Sequence, residues 1–274
     1  MRIRSPGRIV GVLAATMALG ACGGEALTLG EAREALEEVV LAGQAEGLVA
    51  SSVEVATDFT IGGAVEAAAQ EIRTFLETQL PCADVTVTGA TLTVTYGARA
   101  GNCTYRGHTF TGHHTITVSS VAAGNLVVDH TWSNLSDGVV RVSGIAHVTW
   151  SAPDASRRVV HDLTWTRVAD GRSVTGTGDR TQTALPAGLL EGIRVTGTRQ
   201  WTSPSGTWNL DVDNVELRWV DPVPQAGTYT LNTPFDKTLT LTFSRVDADT
   251  IAVAVRSGRF RFTFNVSPLG TVTQ

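Results

Sequence analysis

From Cys82 to Gln274 apolar and polar residues alternate with a period of two, the pattern of strands with one face buried. Threonine, valine and tryptophan dominate, as suits a pleated surface. Turn signals punctuate the run: Gly89-Ala90, Asp137-Gly138, Asp170-Gly171, Ser203-Pro204-Ser205-Gly206 and Ser257-Gly258. About a dozen strands joined by short hairpins are expected. Parallel crossovers need intervening helices, and this stretch offers none. Two pairings follow from the turns. The turn Ser203–Gly206 sets Thr202 against Thr207 and Trp201 against Trp208. A two-residue turn at Ser257-Gly258 sets Val255 against Phe260, Val253 against Phe262 and Ile251 against Phe264. The five-residue loop Arg245–Asp249 sets Phe243 against Ile251, Leu241 against Val253 and Leu239 against Val255. Nine large apolar side chains then share one face, which must be covered by helices, by other strands or by lipid.

Before Cys82 the period is helical. Thr28-Leu29-Gly30-Glu31 matches a capping box. Leu29, Ala32, Leu36, Val39 and Val40 recur on one face, with Glu31, Glu34, Glu37 and Glu38 mostly on others; the helix is expected to end near Gly43–Gly47. Ser51–Ile61 reads as ambiguous, with a short strand as one option. After Gly62-Gly63 a second helix carries Val65, Ala68, Ile72, Phe75 and Leu76, and Pro81 stops it. The expected fold is α+β and predominantly antiparallel β, with an N-terminal helical pair (29–80) packed on a long curved meander sheet, open or half-barrel-like (81–274). Asp221-Pro222-Val223-Pro224 marks a corner or subdomain break near 221–226. Val-Ser/Thr-Gly and Thr-Trp recur at irregular spacings, which is repeated strand chemistry and no fixed-period array.

Composition changes this picture at the N-terminus. Arg2, Arg4 and Arg8 precede an uncharged apolar stretch, Ile9–Leu19, eleven residues long. That is a signal-peptide length and too short for a bilayer, which takes about 20 apolar residues. Leu19-Gly20-Ala21-Cys22 resembles the lipobox of bacterial lipoproteins. The resemblance implies a signal peptide of residues 1–21, cleavage before Cys22, acylation of Cys22 and a lipidated tether over 22–28. Gly23 after the anchor, where Asp would signal retention, implies the outer membrane. Two cysteines remain in the mature part. Cys82 and Cys103 flank an out-and-back hairpin, and in an exported protein such a pair reads as a disulfide. The formal net charge of −5 argues against nucleic acid as a partner.

All six histidines fall between 108 and 161. Strand parity puts His114, His130 and His161 on apolar-looking faces, and His108 shares the parity of His114. His113 sits with threonines, and His147 with Arg141 and Ser143. The strand Val140–Trp150 is expected to separate His130 from His161, so packing against aromatic neighbours is favoured over a zinc site. No metal ligand set, catalytic residue or cofactor is assigned. Asp211-Val212-Asp213-Asn214 lacks the glycine and glutamate of a calcium loop, and no nucleophile motif is present. The whole resembles the β-rich lipoproteins of Gram-negative envelopes, through lipobox, helical pair, the Cys82…Cys103 hairpin and the meander. It is less closely similar to periplasmic lipoprotein carriers, in which helices lid an open sheet over a hydrophobic cavity. The expected function is non-enzymatic: a cell-envelope lipoprotein with a structural or partner-binding role. The alternative is a carrier of lipid or another hydrophobic ligand, and a metal-dependent enzyme using the histidines ranks below both. The partners are the membrane, through the anchor, and a protein or bound lipid.

Overall fold

The computed structural model describes residues 27–56, 65–121, 125–151, 156–219, 221–268 and 270–273. Cys22 and the signal segment lie outside them. Two helices, α1 (Leu29–Val55) and α2 (Val65–Gln79), precede β1 (Asp84–Thr88) and β2 (Thr91–Tyr96). A small hairpin follows, β3 (Thr104–Tyr105) with β4 (His108–Thr109). Then come β5 (Thr111–Val121), β6 (Asn125–Ser136), β7 (Val140–Ser151), β8 (Ser156–Arg167), β9 (Ser173–Leu185) and β10 (Gly188–Ser203). The chain ends with β11 (Gly206–Arg218), β12 (Asp221–Asn232), β13 (Thr238–Arg245), β14 (Ile251–Ser257), β15 (Phe260–Val266) and β16 (Val272–Thr273). All but β3 and β4 form one open antiparallel sheet of 14 strands in sequence order. The fold is α+β and predominantly antiparallel β.

The capping box at Thr28 and Glu31 is present, with both reciprocal bonds made. The helix it starts does not stop at the glycines; α1 continues to Val55. Six consecutive residues, Glu38 to Gly43, are buried. That is more than a full turn, so α1 is enclosed over most of its circumference, with Arg33 and Glu37 left exposed on one face. Packing carries the helix through its glycines: Gly47 lies against the His108 imidazole of the β3–β4 hairpin, where a Cβ would stand at an ordinary contact distance of 3.6 Å. Along its length α1 meets Ser205 after β10, Arg180 on β9, Arg157 on β8 and Gly270 before β16. One helix can touch strands so far apart in sheet order only if the sheet curls round it. The small α2 covers β1, β2 and β5.

Trp201 pairs with Trp208 and Thr202 with Thr207; the indoles stack 6.2 Å apart, both buried. Burial makes them a staple inside the core. Of the nine apolar residues on β13–β15, Leu239, Leu241, Phe243, Ile251, Val253, Val255 and Phe264 are buried, and Phe260 and Phe262 partly so. Their register differs from the expectation by two. Val255 faces Phe262 and Val253 faces Phe264, because Gly258 takes the first central position of the turn, with φ +55°. A two-residue hairpin wants its glycine there. On the other side Val255 faces Leu241, because the loop begins at Val246, whose N–H reaches the Thr250 carbonyl at 3.0 Å. A slip of two keeps every side chain on its own face. Around 221–226 the β11–β12 ladder shifts register twice but continues, so this stretch is a bend in a single sheet. Cys82 and Cys103 stand at disulfide distance, Cα atoms 5.3 Å apart. Among the described residues no helix is long and apolar enough to cross a membrane.

Candidate functional site

The middle of the sheet, β6 to β11, is built from three adjacent rows of side chains running across the strands. The central row is His130, Ala146, His161, Gly178, Arg199 and Leu210, paired strand to strand. Its side chains point inward to α1. On either side of it the outward rows form two rims. One is Asp129, His147, Val160, Asp179, Thr198 and Asp211; the other is Thr131, Ile145, Asp162, Thr177, Gln200 and Asn209. Between the rims lies a groove of about 790 Å³ lined by these three rows. Six strands at about 4.8 Å spacing make it roughly 24 Å long.

The rims are acidic. Asp129 accepts from His147 Nδ1 at 2.6 Å. Asp179 accepts from Arg158 at 2.8 and 2.5 Å, and that fork holds its carboxyl below the usual range. Asp162 and Asp211 stand on opposite rims, three strands apart. Ile145 and Val160 give the groove an apolar step; they are diagonal neighbours, 56% and 38% exposed. Asp162 and Asp179 are diagonal neighbours on opposite rims, and the Arg158 fork keeps Asp179 ionised.

Beneath the floor lies a buried layer of ionic and polar side chains. Glu38, Glu46 and Glu54 project from α1 at intervals of eight residues and are buried. Each meets a cation from the β8–β9 region: Arg172 at Glu38, Arg180 at Glu46, Arg157 at Glu54. Trp201 Nε1 also donates to Glu38 at 3.2 Å. Arg157 donates to Gln182 at 2.5 Å and lies over the Trp150 ring. His161 accepts at Nδ1 from Arg180, 3.0 Å away, so its proton sits on Nε2, facing Glu46 at 3.4 Å. Burial, with the nearby Arg199 guanidinium, pulls the His161 pKa to about 3. Gly178 makes room for this ring, since a Cβ there would lie 2.5 Å from His161 Cε1.

Two more histidines meet directly. His114 and His130 share a 2.8 Å hydrogen bond, and Tyr96 Oη lies 3.0 Å from His114 Nδ1. Both rings stack on Trp132. Burial lowers both pKa values, that of His130 to about 3. His130 and His161 stay apart, with Ala146 of β7 between them in register. His108 is buried against Asp137 at 2.8 Å, while His113 and His147 are exposed. Among the described residues no three of His, Cys, Asp or Glu are grouped to hold a metal ion.

Sequence reasoning missed the three glutamates and their arginines. A signal was there: Arg157 shares the parity of Val159 and His161, and Arg199 that of Trp201, which marks both as inward. The Asp129–His147 pair could not be found without the β6–β7 register. No known protein family, curated protein or solved structure matches this chain.

Proposed function

We propose that this chain is a cell-envelope lipoprotein, anchored through Cys22 in the outer membrane, whose folded domain binds a partner in the cross-strand groove and catalyses no reaction. The observation that carries this reading is the placement of α1. It occupies the space under the curled sheet, so the large recess lies on the outer face. Lipid carriage, the alternative, asks for an interior cavity. Here Leu36, Val39, Leu48 and Val53 of α1 fill that space and are buried. The acidic rims favour a neutral or cationic partner over an anionic one.

A photo-crosslinker at Thr198, in the middle of one rim, tests the site in living cells. The expected result is one discrete adduct, lost when Asp162→Lys and Asp211→Lys reverse the charge of the rims. Native mass spectrometry of the Cys22→Ser form tests the alternative. Stoichiometric lipid in that protein would replace the partner-binding reading with carriage.

A further inference from the structure

The β6–β7 and β8–β9 turns lie side by side, joined by the Val168 N–H donating to the Val139 carbonyl at 2.9 Å. Each turn leaves an aliphatic side chain in water, Val139 at 51% and Val168 at 43% exposure. Between these turns and α1 is a recess of about 360 Å³ that also contains Val40, Leu41 and Ala169. Arg141 lines a neighbouring recess with Val168 and is exposed; among the described residues it makes no ion pair. Single exposed valines are ordinary. Two that are stapled together, beside an apolar recess and an unpaired guanidinium, are suited to a lipid interface. There aliphatic groups enter the headgroup layer and the cation meets phosphate.

The chain before α1 is long enough to bring this edge to the lipid surface that holds the anchor. Cys22 is seven residues from Leu29, a reach of at most about 25 Å. The recess opens beside Glu37, about 12 Å further along the helix. We propose that the Val139–Val168 edge, with Arg141, is the face on which the domain rests against an anionic bilayer. The proposal depends on Cys22 carrying the anchor. It also places the groove, since Ile145 is six residues along β7 from Val139, about 20 Å away. The groove then stands clear of the headgroups and open to a soluble partner.

Hydrogen exchange on the full-length protein, with and without vesicles of phosphatidylcholine and phosphatidylglycerol, tests this face. Intact mass is read first to establish acylation. If the Cys22 thiol is free, coupling it to a maleimide lipid asks the orientation question independently of the native anchor. On vesicles, amides of 137–141 and 166–170 should exchange about fivefold or more slowly, with those of 203–207 and 143–147 unchanged. The variant V139D/V168D/R141E should lose that protection while keeping its urea midpoint. Protection centred on 203–207 or 233–237 overturns the proposal. So does concentration-dependent protection of the same edge without vesicles, which would assign it to a second copy of the chain.

Discussion

The two halves of the sheet solve the same problem with different chemistry. Over β13–β15 the inner face is Leu, Val, Ile and Phe, packed as an ordinary apolar core. Over β5–β10 the inner face carries His114, His130, His161, Arg157, Arg180, Gln182 and Arg199, all buried; the facing helix supplies Glu54 to Arg157 and Glu46 to Arg180, and Arg199 donates to Tyr229. An apolar core stabilises through area removed from water and tolerates small errors of register. A buried ionic seam gains little net energy when complete and loses much when one member is removed. The first half therefore holds the fold up, and the second half fixes where α1 sits within it.

The largest expected effect tests that division. Glu46→Ala leaves Arg180 and His161 without their carboxylate in a buried site, which should cost about 3–5 kcal/mol. Urea unfolding reads this directly. Replacing both charges, with Glu46→Leu and Arg180→Met, should recover most of the loss, because the cost lies in the orphaned cation. A double variant as weak as the single one would show that the seam stabilises by itself.

Leu241→Ala makes the corresponding cut in the apolar half. Leu241 is fully buried between Tyr229 and Val255, and a leucine truncation at such a site costs about 2–5 kcal/mol. Here no partner substitution should rescue it, since the loss is a cavity. Recovery by a second change on α1 would mean that the two halves are less separate than their chemistry suggests.

That contrast explains what could be read from the chain. The face of β13–β15 was legible because parity survives a register slip of two; only the turn details, Gly258 and the loop from Val246, moved the pairs. The stacked Trp201 and Trp208 were legible because one short turn sets their pairing. The end of α1 was misjudged because Gly43 and Gly47 weaken a free helix, a cost that tertiary packing overrides in a largely buried one. The groove was not legible at all. Its rims combine residues from six strands, and each strand contributes only two alternate outward positions. The Glu–Arg seam was half visible, in arginines at inward parity, but nothing local pairs residue 46 with residue 180.

A pH titration should separate the halves further. In the unfolded chain each imidazole takes up a proton near pH 6.5. Folded, His130 and His161 do so only near about 3. Between those values the unfolded state binds more protons. The stability present above about pH 6.5 is therefore lost as pH falls, by about 1.4 kcal/mol per pH unit for each histidine. Hydrogen exchange from pH 7 to 4 should show β5–β9 opening before β13–β15, which carry no histidine. Simultaneous opening would mean that the sheet responds as one cooperative unit.

The smallest effect comes from the same chemistry turned outward. His147 and Asp129 repeat the His161–Glu46 contact, and at 2.6 Å the pair is the shorter of the two. Both members are about half exposed, whereas His161 and Glu46 are almost wholly enclosed. Water solvates whichever partner is left behind, so exposed pairs are worth less than about 1 kcal/mol. His147→Ala should therefore shift the urea midpoint barely at all, against the large loss expected for Glu46→Ala. Any effect it has should instead appear in the groove, as altered crosslinking from Thr198. A stability loss comparable to that of Glu46→Ala would break the comparison, because distance and not burial would then set the cost.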